Sequence, residues 1–150
     1  MRVVLQRVTS CVLSVEEQEY SRIGYGFLIL LGIDEADTAE DMEWLTAKIA
    51  GLRIFDDDLG NMNLDIRDIG GEVMIVSQFT LHASLRKGNR PSYIKAAKPD
   101  IARPLYEDFI QSIQEKTECN TVTGQFGAHM ELALVNDGPV TIFIDSKNRE

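Results

Sequence analysis

Three apolar, β-branched runs occupy the first 33 residues before any helical period appears, and that order constrains the fold more than any other feature. RVVLQRV (2–8) and SCVLSVE (10–16) predict a pair of adjacent strands meeting around Thr9-Ser10. The polar EQEYSRIGYG then leads into FLILLGI (27–33), whose unbroken apolarity predicts a strand buried on both faces. From residue 34 the period changes. Asp37 or Thr38 is placed to cap a helix, Glu40, Asp41 and Glu43 suit its positive end, and Met42, Leu45, Ile49 and Leu52 recur at helical spacing to about 51.

The acidic DDDLGNMN (56–63) reads as a solvated loop, because it lacks the alternating ligands and closing Glu of a calcium loop. GEVMIVSQFTL (71–81) predicts a strong strand, and a second helix is expected over 99–117. Pro99 and Pro104 fit the start of that helix, with Ile101, Leu105, Phe109 and Ile113 as its apolar stripe. TVTGQFG, HMELALV and PVTIFID close the chain as three more strands. The order β-β-β-α-β-α-β-β-β lacks the regular alternation of a doubly wound sheet. The expected class is therefore α+β, a mixed, barrel-like curled sheet with two packed helices, formed by residues 1–150 as one domain.

Composition removes several function classes. FLILLGI, the longest apolar run, is far shorter than the roughly 20 residues a membrane span needs, and the N-terminal run is broken by Arg2, Gln6 and Arg7, unlike a signal peptide. A cytoplasmic protein with no membrane partner is expected. Cys11 and Cys119 have no CxxC spacing, His82 and His129 lie 47 positions apart outside any metal motif, and neither a metal nor a cofactor is expected. The formal net charge of −9 disfavours a polyanionic partner, yet residues 86–103 carry six Lys/Arg against one acidic residue. Such a lane is either a solvated face or a strip of phosphate contacts.

No GxSxG elbow, Walker loop or local catalytic triad is present. Two stretches carry chemistry instead. In SQFTLHA (77–83) a buried apolar strand ends in Ser77-Gln78-Phe79-Thr80, where free backbone N–H groups beside amide and hydroxyl side chains suit an oxyanion. In NDGPVT (136–141) Pro139 cannot donate to a ladder, so its strand is either an edge strand or just beginning there.

SQFTL, RKGNRPSY and GQFGAHMELALVNDGPVTIFID, in that order, resemble the D-aminoacyl-tRNA deacylase family, and the similarity runs from MRVVLQRV through nearly the whole chain. It departs at Ser84, where the family usually has an acidic residue, and at Asn89, where it usually has a basic one. The resemblance implies a homodimer with active sites at the subunit interface, hydrolysing the ester between a D-amino acid, or glycine, and the 3′-terminal adenosine of tRNA. It implies a cis Gly138-Pro139 bond offered to the other subunit's pocket, with rigid main-chain carbonyls excluding an L side chain. Asn136, Val140 and Thr141 would shape that loop, Arg7 would brace it, and Phe126 and Met130 would line the pocket wall. Ser77, Gln78, Phe79 and Thr80 would surround the scissile carbonyl, and Arg86, Lys87 and Arg90 would contact tRNA. Thr80 lacks a local base, which favours assistance from the terminal ribose 2′-OH over attack by Thr80. Two other readings stand beside this one: a non-catalytic RNA-binding module using the basic lane, and a small-molecule hydrolase with Thr80 as nucleophile.

Overall fold

In the computed structural model, which describes residues 1–150, the first two expected strands are one, β1 (Arg2–Val15). Thr9 and Ser10 do not break it, because the ladder absorbs the bend through register shifts between Gln6 and Val8 and between Val8 and Ser10. The polar stretch expected as a lead-in is itself a strand, β2 (Gln18–Ile23), largely exposed. A two-residue turn reverses the chain into it, with Glu16 and Glu17 at φ 51° and 61°. β3 (Gly26–Gly32) then continues in the same direction as β2.

Helix α1 (Ala39–Ala50) starts where the sequence places it, with Thr38 and Asp41 forming a reciprocal capping box. A small hairpin, β4 (Phe55–Asp56) and β5 (Met62–Leu64), brackets the acidic loop. β6 (Glu72–Ser77) is followed by a 3-10 turn (Phe79–His82). Helix α2 (Pro99–Thr117), short β7 (Thr121–Thr123) and a long β8 (Glu131–Asp145) complete the chain. HMELALV and PVTIFID, expected as separate strands, are therefore one.

β1 is the spine. One edge pairs with β2 and β3 laid end to end, from Val15↔Gln18 to Arg2↔Gly32. Its other edge pairs with β8 from Ser14↔Glu131 to Arg2↔Asp145. β8 has no second partner in the sheet, so Pro139 sits on an edge strand, where its missing N–H breaks no ladder. β6 pairs parallel to β3, and β7 parallel to β6. The sheet curls until Ser21 Oγ on β2 donates to the Thr123 carbonyl on β7 at 2.9 Å. Gly26 lets the start of β6 come close to β3, since a Cβ there would lie 1.8 Å from the Glu72 carbonyl oxygen.

Residues alternate between two apolar layers. Val3, Leu5, Phe27, Ile29, Val73 and Ile75 pack under the helices against Leu45, Ile49, Phe109 and Ile113. Val8, Leu13, Leu28, Met74 and Val76 fill the other layer, which explains the continuous apolarity of FLILLGI. On α2 the expected stripe shifts: Ile101 is 41% exposed, and Ala102 and Tyr106 are buried instead. Residues strictly four apart drift around a helix of 3.6 residues per turn, so a row of four cannot stay on one face. No helix is long and apolar enough to cross a membrane.

Candidate active site

The buried VMIV of β6 carries the chain to the site. Beyond Ser77, the Gln78 N–H donates to the Leu31 carbonyl at 2.7 Å, and the 3-10 turn lifts the chain away from the sheet. Gly32 lets the turn sit close, since a Cβ there would come within 2.9 Å of the Gln78 carbonyl oxygen. Arg2 holds the turn from the other side: its Nη1 donates to the Leu81 carbonyl at 3.0 Å while its Nε pairs with Asp145 at 2.9 Å. Within the turn, the Gln78 side-chain amide donates to Thr80 Oγ1. A neutral amide cannot accept the hydroxyl proton, so Thr80 has no base at that contact.

Ser77, Gln78 and Phe79 line a cavity of about 580 Å³, and Phe126 and Met130 stand in its wall. Leu31, Ile33 and Ala102 are among its mainly apolar lining, to which no Lys, Arg, Asp or Glu side chain contributes but the His129 imidazole does. At the rim, Phe79, 57% exposed, meets Tyr93 edge to face with centroids 5.1 Å apart. Such a site offers apolar surroundings to an ester, with main-chain, amide and hydroxyl groups at one end. Thr80 lies just outside the lining. No cluster of His, Cys, Asp and Glu is placed to hold a metal ion.

Arg7, Asn136, Gly138, Pro139, Val140 and Thr141 do not line this cavity; they gather on β1 and β8. The Gly138-Pro139 peptide is cis, and both residues are exposed. Gly138 tolerates no side chain, because a Cβ would lie 1.9 Å from the Val140 nitrogen. Val140 anchors the segment in the core, and the Asn136 amide donates to the carbonyls of Arg7 (2.9 Å) and Val140 (3.2 Å). The buried Arg7 guanidinium clamps the segment from beneath: Nε pairs with the Asp137 carboxylate at 2.9 Å and donates to its carbonyl at 3.2 Å. Its Nη1 reaches the Ile54 carbonyl and, at 3.3 Å, the Asp56 carboxylate. Thr141 accepts from the Gln6 amide at 3.2 Å. Nearby, burial pushes the Tyr25 hydroxyl pKa up; Arg7 opposes the shift, while Asp137 and Asp56 add to it.

Arg86, Lys87 and Arg90 occupy an exposed loop pinched shut by reciprocal Ser84–Ser92 backbone bonds of 2.8 and 3.0 Å. None of the six Lys/Arg of the 86–103 lane makes an ion pair, whereas seven of the nine elsewhere do. The lane's cations are therefore free for an external anion. Sequence reasoning missed Arg2, Gly32, Tyr93 and Asp137. Asp137 alone left a signal, an acid beside the Gly-Pro with a conspicuous arginine in an apolar strand.

A curled α+β sheet, an apolar strand-end cavity bordered by Ser77 and Gln78, and a Gly-Pro segment braced apart from it set this chain in a class of small α+β proteins with a candidate site at a strand end. The profile of the D-Tyr-tRNA(Tyr) deacylase family matches residues 4–145, and this chain belongs to that family. Over its full length, and theirs, it is 58% identical to a D-aminoacyl-tRNA deacylase of Porphyromonas gingivalis and 55% identical to one of Flavobacterium johnsoniae. A solved structure described as a c-Myc DNA unwinding element binding protein superposes with a TM-score of 0.91 at 36% identity, covering 97% of this chain and 98% of that one. A probable eukaryotic D-amino acid tRNA deacylase shares the fold at a TM-score of 0.81 and 18% identity, with 95% and 97% covered.

Proposed function

We propose that this chain is a cytoplasmic D-aminoacyl-tRNA deacylase that hydrolyses the ester between a D-amino acid, or glycine, and the 3′-terminal adenosine of tRNA, and spares the L ester. The observation that carries this reading is the cavity floored by Ser77, Gln78 and Phe79 in a chain of the deacylase family. The ester is already activated, so positioning and oxyanion stabilisation suffice; one oxyanion donor is worth about 3 kcal/mol. The backbone N–H groups of Phe79 and Thr80 serve as donors, since that of Gln78 is taken by the Leu31 carbonyl, and Ser77 supports them.

Chirality is checked by a second subunit. Gly138-Pro139 is exposed and lies outside its own cavity, and Arg7 and Asn136 brace the residues on either side of it through Asp137 and Val140. A braced, exposed main-chain projection suits insertion into a neighbour's pocket, where its carbonyls bar an L side chain and admit hydrogen or a D substituent. The protein thus works as a homodimer. For attack, the amide at Thr80 Oγ1 favours the terminal ribose 2′-OH positioning a water over Thr80 as nucleophile. The unpaired cations Arg86, Lys87 and Arg90 bind tRNA phosphates.

Incubation with D-Tyr-tRNA, L-Tyr-tRNA and Gly-tRNA tests the reading. Loss of the D and Gly esters with survival of the L ester is expected. Binding without hydrolysis would instead favour an RNA-binding module, and equal indifference to all three would reject the deacylase.

A further inference from the structure

Next to the candidate cavity, with Phe126 as a shared wall residue, runs a second groove of about 350 Å³. It is lined by Tyr20, Arg103, Tyr106, Glu107 and the Thr123–Phe126 segment, among others. Arg103 is exposed, yet its guanidinium lies over the Phe126 ring, 5.2 Å from the centroid. Phe126 packs on Tyr106 with centroids 5.5 Å apart, and the Tyr106 hydroxyl donates to the Ile75 carbonyl at 2.9 Å. Ile75 lies in β6, two residues before Ser77. A relay of rings therefore ties one cation to the strand that presents the cavity floor.

No carboxylate lies within ion-pair distance of that cation; even Glu107, one turn along α2 in the same groove, makes no salt bridge with it. A guanidinium held over a ring by cation–π attraction keeps its N–H donors free for a second partner. That is the chemistry of a phosphate contact rather than of packing. Arg103 is also the only Lys or Arg within cation–π range of an aromatic residue of the cavity wall, since the other cation–π contacts involve Trp44.

We infer that Arg103 binds a phosphodiester of the RNA strand where it leaves the cavity through this groove, fixing how deep the 3′ end is seated. This rests on the reading of the cavity as a tRNA ester site. The contact would be the phosphate nearest the reacting end, distinct from the 86–90 loop.

Three D-tyrosyl esters separate the possibilities: the full tRNA, the trinucleotide CCA, which has phosphodiesters, and adenosine, which has none. Arg103→Met keeps an apolar cover over Phe126 and removes the charge. It should raise KM about tenfold for the tRNA and the trinucleotide, with kcat and all parameters for D-Tyr-adenosine within about twofold. Arg103→Lys should restore part of the loss. An equal defect on all three esters assigns Arg103 to packing and overturns the inference, as does no defect on any. If the wild-type protein cleaves none of them, the deacylase reading fails. Affinity for unesterified CCA then decides the matter: a roughly tenfold loss in Arg103→Met upholds the phosphate contact, and no loss overturns it.

Discussion

Arg7 shows how one side chain joins distant parts of the chain. It stands at 6% exposure in a strand of valines and leucines, and it satisfies carbonyls and carboxylates at β8 and at the start of the β4 hairpin. Arg7→Met should lower stability by about 2 kcal/mol in urea unfolding, because it strands buried acceptors. Arg7→Lys should recover little, since an ammonium cannot span the same fork of acceptors. At Thr80 the expectation runs the other way: Thr80→Ala should keep much of the deacylation rate in single turnover. Complete loss with folding and tRNA binding intact would make Thr80 the nucleophile. At this scale the sequence revealed residue types but not partners. It picked out Ser77, Gln78 and Phe79 by an abrupt polar end to an apolar strand, whereas Arg2 and Gly32 carry no local mark, because their importance arises only when the 3-10 turn folds back onto β3.

Elements were legible where period and punctuation agreed. Both helices stand within about a residue of their expected ends, since Thr38 and Pro99 mark their starts and the apolar spacing marks their length. Strand limits were not legible where the chain bends without a turn: register shifts carry β1 past Thr9-Ser10, and β8 passes through Gly-Pro on a free edge. β2 was hidden because an exposed strand has no apolar face, and because Glu16-Glu17 turns the chain without glycine or asparagine. Helix α1 carries a pH test. Burial works against ionisation of Asp41, but hydrogen bonds from Lys147, Thr38 and Ser146 outweigh it and hold the carboxyl well below the usual carboxylate range. A depressed folded value contributes stability that is present above the unfolded pKa of about 3.9 and is lost as pH falls through the folded value. Asp41→Asn should therefore melt below the wild type at pH 7, and the gap should narrow as pH drops under about 4.

At the scale of the whole molecule, the two motifs stand apart within one chain. If each cavity is completed by the partner's Gly138-Pro139, two inactive variants can rescue each other. Gly138→Val spoils the projection and leaves the cavity; Ser77→Phe fills the cavity and leaves the projection. Unfolded together and refolded as a mixture, they should recover about a quarter of wild-type activity, since half the dimers are mixed and each holds one sound site. No recovery, with mixed dimers confirmed by mass, would place the site within one chain. Charge reversal at Arg86, Lys87 and Arg90 should weaken tRNA binding and flatten its dependence on salt, and an unchanged slope would make that loop a solvated face.

The free edge of β8 has a consequence for how copies of this chain associate. A fifteen-residue strand with one side open is a template for any extended peptide, and such edges invite endless stacking. Proline in its interior supplies no N–H, so no uninterrupted ladder can zip along it from end to end. The residue that breaks the strand thereby guards against fibres: it leaves room for a short, finite contact and withholds the continuous seam that an aggregate would need.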